Sequence, residues 1–444
     1  MAFLTGVNVK ETKELSQLLE EGVVGTKVKV NGAVHTIRDM GTVAFVILRK
    51  REGLVQAVYE EGVSQFDLKS IREAATVEVY GELHESEKAP NGIEIRIETL
   101  RVLSMPEDEM MPLAISKWKL NTSLESKLNY RAISLRNVRE RAKFKIQEGL
   151  VRGFREFLYT QGFTEIRTPK IGAKGAEGGA NIFKLDYFHK PAVLEQSPQL
   201  YKQMMVGVFD RVFETAPVFR AEKHNTKRHL NEYTSLDFEM GYIDSFEDIM
   251  AMEVGFLQYT MNLLATEYAK EVKMLGITLP NVDKIPTVKF KDAKELVSEK
   301  YNRKIRNPFD LEPEEEVLIG QYFKEECDAD FVFVTHYPSK KRPFYAMDDP
   351  EDTTYTVSFD LLFKGLEITT GGQRIHNHAM LVDKIAARGM TEEGLEHYLA
   401  AFKHGMPPHG GLGLGLERLT MQLIGEENVR ETTLFPRDMN RLEP

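Results

Sequence analysis

The stretch Val218-Phe219-Arg220-Ala221-Glu222-Lys223-His224-Asn225-Thr226-Lys227-Arg228-His229-Leu230-Asn231-Glu232-Tyr233-Thr234-Ser235-Leu236-Asp237-Phe238-Glu239 decides how the rest of the chain is read. Its flanks, residues 211–219 and 233–240, alternate or cluster apolar and aromatic residues in the manner of strands, while the middle gathers cations and turn-formers. The pattern predicts two antiparallel strands joined by a long, charged loop. Hairpins ordinarily close with about two to five residues, so a connection this long and basic suits binding better than closure. A guanidinium at Arg220 on a rigid strand, with Arg228 and His229 over it, suits a polyphosphate held in one geometry. Glu222, expected on the same strand face as Arg220, can accept from an amino group such as the exocyclic amine of adenine. The competing reading is a solvated charged hairpin.

Around this stretch, 444 residues are enough for two or three domains, one with a substantial core. The apolar share of 42% and charged share of 28% are those of a globular protein, and a net charge of -10 argues against non-specific coating of nucleic acid. Any contact with RNA has to come from local patches. Cys327 is the only cysteine, which excludes an internal disulfide and a cysteine-based zinc site. The first ten residues lack the layout of a signal peptide and no run approaches a membrane span, so the expected location is cytoplasmic, with no membrane partner.

Toward the N-terminus, helical spacing over residues 12–21 leads into short strands. The first begins with Val28, Val30, Ala33 and Val34; residues 42–48, 54–59, 75–83 and 93–102 supply four more, split by Gly41, Gly53 and the Pro90-Asn91-Gly92 turn. Five strands in so short a span predict a small closed barrel, for which the OB-fold is the five-stranded candidate that binds oligonucleotides. Phe45 and Gln56 fall on adjacent strands, with Arg38 at the end of the strand before them. An exposed aromatic offers a stacking platform for an unpaired base, and a neighbouring amide can read its edge. The bland alternative makes Phe45 part of the barrel core. Residues 104–136, with Pro106, Pro112 and Trp118 in a weakly periodic run, read as a hinge.

Toward the C-terminus, helical spacing over residues 138–159 ends in residues 162–171, a strand that Pro169 demotes to an edge or interface. Residues 246–273 predict one long amphipathic helix, and residues 274–330 a polar, partly helical insertion. Strand character returns at 331–334 and over 356–369, the latter read as one long strand bearing Asp360 and Glu367. Gly371-Gly372-Gln373-Arg374 closes it, and Gly410-Gly411-Leu412-Gly413-Leu414-Gly415-Leu416-Glu417-Arg418-Leu419 opens the last helix. The Gly-x-Gly-x-Gly spacing is a weak match to a dinucleotide fingerprint, because no βαβ unit surrounds it.

Three of these stretches, in order, resemble the three motifs of the class II aminoacyl-tRNA synthetases. Residues 162–171 look like motif 1, the dimer interface of that family; the arginine-bearing hairpin looks like motif 2; and Gly413-Leu414-Gly415-Leu416-Glu417-Arg418-Leu419 looks like motif 3. Within the class, the chain resembles the aspartyl-tRNA synthetases of the archaeal and eukaryotic type, which lack the bacterial insertion domain, over nearly its whole length. The most specific stretches are Gln196-Ser197-Pro198-Gln199-Leu200-Tyr201-Lys202-Gln203, Phe219-Arg220-Ala221-Glu222, Gly371-Gly372-Gln373-Arg374, Gly405-Met406-Pro407-Pro408-His409-Gly410-Gly411 and Leu434-Phe435-Pro436-Arg437-Asp438.

The resemblance implies an α+β protein: an N-terminal five-stranded OB-fold anticodon-binding barrel (1–104), a hinge (105–137) and a class II catalytic domain (138–444), an antiparallel sheet flanked by helices, forming a homodimer through motif 1. It implies aspartate–tRNA ligase activity with L-aspartate, ATP and Mg²⁺. An amino-acid carboxylate must approach the α-phosphate, another anion, so the site must cancel charge and hold an in-line geometry. Arg220, Arg418 and Glu367 are the catalytic assignments. Arg220 would neutralise the α-phosphate, and Arg418 would hold the far end of a bent triphosphate. Glu367 and Thr370 would hold Mg²⁺, with Asp360 a helper. The resemblance places Ala221, Glu222, Arg228, His229, Leu230, Gly415, Leu416 and Glu417 at ATP, with Tyr233 a candidate to stack on adenine.

For the amino acid, Lys202 and Arg374 supply two positive charges suited to a side-chain carboxylate. An amide would leave one of them unpaired, which favours aspartate over asparagine. Glu177, Gln199, Arg220 and Thr370 complete that pocket. Singly, Lys202 could be a surface lysine, Glu177 a loop carboxylate and Arg374 an ion-pair partner of Asp360. His376 and His378 form a His-x-His pair with no third metal ligand placed by the sequence.

Two departures bear on specificity. Thr370 stands where archaeal relatives carry serine. In the barrel, His35, which joins Arg38, Phe45 and Gln56 as an anticodon contact, stands where some relatives carry tryptophan, and residues 82–92 lack a proline-lysine pair seen in them. These positions leave both tRNA(Asp) and tRNA(Asn) open as acceptors, and a relaxed enzyme is preferred. The rival readings are an asparaginyl-tRNA synthetase, an inactive RNA-binding paralogue, and an amidating enzyme on the same domain, against which the barrel speaks.

Overall fold

The five short strands near the N-terminus close on themselves. β1 (Lys27–Asp39), β2 (Val43–Arg49), β3 (Leu54–Glu60), β4 (Thr76–Glu85) and β5 (Ile93–Ser104) form a closed barrel in the order β1-β2-β3-β5-β4. Alternation sends Val28, Val30, Val46, Leu48, Val77 and Val79 inward, and the preceding α1 (Leu15–Glu20) adds Leu15 and Leu18 to the same core. Closure pairs every strand on both sides and leaves no open edge. The computed structural model describes residues 6–173, 181–223 and 226–443, and the chain divides into two compact units, Met1–Glu140 and Arg141–Pro444. The first unit also holds α2 (Leu124–Asn129) and α3 (Arg131–Ser134).

Into the second unit runs α4 (Val138–Thr160), followed by β6 (Thr164–Glu165), β7 (Ile171–Gly172), β8 (Lys184–Tyr187), β9 (Lys190–Leu194) and α5 (Gln199–Phe209). The central hairpin is β10 (Arg211–Phe219) with β11 (Glu232–Gly241), followed by α6 (Glu247–Glu267), α7 (Ala269–Leu275), β12 (Thr287–Lys289), α8 (Phe290–Tyr301) and α9 (Pro313–Cys327). Then come β13 (Phe331–Thr335), β14 (Ser358–Phe363), β15 (Leu366–Arg374), α10 (His378–Ala387), α11 (Glu396–Lys403), β16 (His409–Gly415) and α12 (Leu416–Ile424). Eight strands form one sheet in the order β12-β13-β14-β15-β16-β11-β10-β6, antiparallel inside with a parallel pair at each edge. One face packs on α4 and α6, where Phe154 meets Phe213 and Phe256 edge to face.

Four expectations need correction. The single strand expected over 356–369 is a hairpin: Lys364 (φ 48°) and Gly365 (φ 74°) turn the chain between β14 and β15, and two successive left-handed residues are what a tight two-residue turn requires. The motif 1 strand shrinks to Thr164–Glu165, paired in parallel with the edge of β10. The long helix after the hairpin breaks at Tyr268. Residues 274–330 are no appendage, since β12 extends the main sheet and α9 lies against the β14–β15 turn.

Candidate functional site

A cleft of about 400 Å³ opens on the sheet face opposite that core. It gathers Gln199 and Lys202 from α5, Arg220, Glu222, Arg228, His229, Leu230 and Tyr233 from the central hairpin, Glu367, Thr370 and Arg374 from β15, and Gly415, Glu417 and Arg418 from the start of α12. Residues from four separated stretches thus meet in one place. Of the other expected contacts, Leu416 is buried in the core and Ala221 stays out of the lining, its N–H donating to the Asn181 carbonyl at 2.9 Å. Glu177 lies outside the described residues.

The amino-acid end is built on β11 and β16. Along β11, Leu236, Phe238 and Met240 face the core, and alternation turns Ser235, Asp237 and Glu239 to the other side. The facing strand β16 carries glycine at 411 and 413 beside these carboxylates; a Cβ on Gly411 would collide with the Phe238 carbonyl and the Glu239 carboxylate. Its glycines therefore make room inside a strand, where a dinucleotide loop would use them differently. Into this space reaches Lys202, whose ammonium meets Asp237 at 2.9 Å, Glu239 at 3.3 Å and the Leu412 carbonyl at 2.8 Å.

Arg374 donates through Nε to Glu239 at 2.9 Å and through Nη2 to the Gly411 carbonyl at 2.9 Å. Its Nη1 has no partner among the described residues. The two cations are therefore not bare, as the sequence argument took them to be: two carboxylates that it missed, Asp237 and Glu239, balance them. Nor does Arg374 pair with Asp360. Burial alone would raise the Glu239 carboxyl, but Arg374 and Lys202 hold it below the ordinary carboxylate range. Gln199 is fixed from behind, its Nε2 donating to Gln203 at 3.0 Å.

At the other end, Arg220 lies one residue beyond β10, its N–H bonded to the Asn231 carbonyl at 2.9 Å, and its guanidinium sits 5.6 Å above the Tyr233 ring. Glu222 is in the loop, not on the strand face expected for it, because the ladder ends at Phe219; it lies 4.0 Å from Arg220 and 3.8 Å from His229. Arg418 donates to the Glu367 carbonyl at 3.0 Å and the Arg228 carbonyl at 3.3 Å. Glu417 accepts the Thr234 N–H in both oxygens, at 3.0 and 3.1 Å, and burial pushes its carboxyl up to about 7.

Between the two ends stands Glu367. In β15 the pairing slips at Ile368, an extra residue in the ladder with β14, and this bulge reverses the alternation. Glu367 and Thr370, three apart, so come to one face, where Thr370 Oγ1 donates to Glu367 Oε1 at 3.1 Å. Burial would raise the Glu367 carboxyl, yet Arg418 and Arg342 hold it below the usual range. Asp360, paired in register with Thr370, is taken up by Arg342 at 2.7 Å, a cleft-lining arginine that the sequence reading did not single out. Among the described residues no cluster of three or more His, Cys, Asp or Glu side chains is arranged as a metal centre. Glu367 and Thr370 offer two hard oxygen donors.

In the barrel, Arg38, Phe45 and Val58 are register neighbours, as are Thr36, Ile47 and Gln56. Phe45 lies half-buried outside the barrel core, which removes the reading of it as a core residue; Arg38 is exposed. Gln56 is buried, its Nε2 donating to Glu94 at 3.0 Å. His35 is 3% exposed because it is the extra residue of a bulge between Val34 and Thr36, so it presents no surface to a base and is withdrawn as an anticodon contact.

Residues 123–439 match the family model for tRNA synthetases class II (D, K and N), and residues 28–103 that for the OB-fold nucleic acid binding domain. An aspartate–tRNA(Asp/Asn) ligase of Deinococcus radiodurans is 49% identical, covering 95% of this chain and 96% of that protein. An aspartate–tRNA(Asp) ligase of Pyrococcus abyssi is 42% identical over 97% of this chain and 98% of its own length. The crystal structure of asparaginyl-tRNA synthetase from Pyrococcus horikoshii complexed with asparaginyl-adenylate superposes with a TM-score of 0.90 at 31% identity, covering 98% of this chain and 100% of that one. No helix among the described residues is long and apolar enough to cross a membrane. With the three arginine- and glutamate-bearing stretches meeting in one cleft and the match spanning more than half the sequence, the chain belongs to the class II tRNA synthetases of the D, K and N group.

Proposed function

We propose that the chain is an aspartate–tRNA ligase that activates L-aspartate with ATP and passes the aspartyl group to tRNA(Asp), with tRNA(Asn) as a second acceptor. The observation that carries the substrate assignment is Arg374, a cleft-lining guanidinium locked on one side by Glu239 and the Gly411 carbonyl, with no partner for Nη1 among the described residues. A guanidinium edge only donates, so it suits a side-chain carboxylate better than an amide. Asp237 and Glu239 could accept from an amide, which makes asparagine the competitor that the test must include.

In this reading the α-carboxylate of aspartate, already ionised, attacks the α-phosphorus of ATP; the new O–P bond forms as the bond to the leaving pyrophosphate breaks. No general base is needed. Arg220 neutralises the α-phosphate, Arg418 and Arg228 hold the far phosphates, Glu222 and Tyr233 receive the adenine, and Gln199, Lys202 and Arg374 orient the amino acid. A terminal ribose hydroxyl of tRNA then attacks the adenylate carbonyl and AMP leaves. Glu367 and Thr370 fit a Mg²⁺ ion that arrives on the nucleotide, since Mg²⁺ is commonly held by one or two carboxylates plus substrate phosphates and water. When bound it would neutralise phosphate charge.

The half-buried Phe45, next to exposed Arg38, supports the barrel (1–104) as the anticodon reader, with 105–137 as hinge and 138–444 as catalytic domain. A homodimer through residues 162–171 and a cytoplasmic location complete the reading. Pyrophosphate exchange into ATP with aspartate and asparagine in parallel, then charging of both tRNAs with labelled aspartate, tests it. Exchange with asparagine alone refutes it; charging of tRNA(Asp) only removes the second acceptor.

A further inference from the structure

The region 274–330, to which the reading above gives no role, places one side chain behind the cleft, against the lining residues Arg228 and Glu367. Glu316, near the start of α9, is 6% exposed. Its Oε2 accepts from the Arg228 guanidinium at 2.5 Å and from the Glu367 N–H at 3.2 Å. Arg418 closes the circuit, donating to the carbonyls of Glu367 and Arg228. Arg228 is thus held at both ends: by Arg418 through its backbone and by Glu316 through its side chain.

The helix is set at this distance by close backbone contact. A Cβ on Gly320 would stand 2.5 Å from the Gly365 nitrogen, and one on Gly365 would stand 2.7 Å from the Val317 Cα. Two glycines therefore let α9 lie directly on the turn that opens β15, one helical turn from Glu316. Behind it, Glu315 takes Lys294 of α8 at 2.5 Å and Glu312 takes Arg303 at 2.9 Å, which braces the helix start.

We propose that Glu316 is a positioning residue for the nucleotide: it presets Arg228 against the phosphate end of the cleft, so that the segment outside the three motifs tunes ATP affinity. The inference rests on Arg228 as a nucleotide ligand. A side chain as long as arginine loses rotamer freedom when it is fixed, and an arginine already held by a carboxylate has given up much of this before ATP arrives.

The test is calorimetric titration with ATP and Mg²⁺, alongside exchange kinetics, for Glu316→Gln, Arg228→Ala and the double variant. Expected are a five- to tenfold weaker ATP affinity for Glu316→Gln, a KM for aspartate within twofold of the parent, and no further loss when it is added to Arg228→Ala, the signature of action through that arginine. Gly320→Ala, which lifts the helix, should weaken ATP in the same sense. Unchanged ATP affinity in Glu316→Gln, equal losses for ATP and aspartate, or an undiminished loss in the Arg228→Ala background each overturns the proposal. If Arg228→Ala binds ATP normally, the nucleotide assignment itself is wrong. Failure of the aspartate reading would appear separately, as exchange with another amino acid in the parent protein.

Discussion

Thr370 Oγ1 donates to Glu367 Oε1 at 3.1 Å, a meeting of residues three apart on one strand that the bulge at Ile368 makes possible. Loss of one hydrogen bond to a charged group costs about 1.5 kcal/mol, roughly a tenfold effect. Thr370→Ala should lower exchange kcat about tenfold and raise the Mg²⁺ concentration needed for half-maximal rate. Thr370→Ser, which keeps the hydroxyl, should stay within about twofold. Equal losses in both would show that the methyl matters, not the oxygen.

The balanced group of Lys202, Arg374, Asp237 and Glu239 separates two kinds of damage. Arg374→Lys removes the planar edge that faces the cleft, so the KM for aspartate should rise at least fiftyfold while that for ATP stays within twofold. Glu239→Gln leaves a buried cation short of a partner, so its main effect should be on the fold, about 3 kcal/mol lost in denaturant titrations. The opposite assignment of effects would show that Glu239 touches substrate and Arg374 only supports it.

Glu253 on α6 is fully buried; Thr369 Oγ1 donates to it at 2.6 Å, and its Oε2 has no partner among the described residues. Burial pushes its carboxyl up to about 8, against about 4.3 in an unfolded chain. Between these values the folded state holds the proton and the unfolded state releases it, so stability falls as pH rises through that window and levels off above it. Glu253→Gln cannot titrate. Its stability relative to the parent should grow by up to about 1.4 kcal/mol per pH unit from roughly pH 5 to 8. Parallel melting curves across that range would refute the burial argument.

Phe45 offers its ring on the barrel surface rather than in its core. Base stacking on an aromatic is worth about 1–3 kcal/mol, so Phe45→Ala should raise the KM for tRNA about tenfold and leave pyrophosphate exchange untouched. A matching loss in exchange would move Phe45 to a structural role.

Legibility in the sequence followed local periodicity. The barrel strands were readable because Val28 and Val30, or Val77 and Val79, alternate with polar residues on a half-solvated sheet. The charged residues of the hairpin, β15 and the last helix start were readable from their types. Asp237 and Glu239 were not: their alternation with Leu236, Phe238 and Met240 looks like a solvent face, and only pairing with the glycine strand β16 encloses it. Nor does the Leu-Glu-Ile-Thr-Thr run of residues 366–370 announce its bulge, which is set by the partner strand. Glu316 sits among other acidic residues in a helix that reads as solvated, and its burial comes from the Gly320–Gly365 approach.

Gly411 also constrains how such a pocket can be redesigned. With a hydrogen in place of a side chain there is nothing to trim, and the smallest addition strikes the Phe238 carbonyl and the Glu239 carboxylate. The floor is therefore closed to engineering in both directions. A change of amino-acid preference has to be cut into the walls, at Lys202, Arg374 or the carboxylates of β11, and each such cut must carry its own counter-charge.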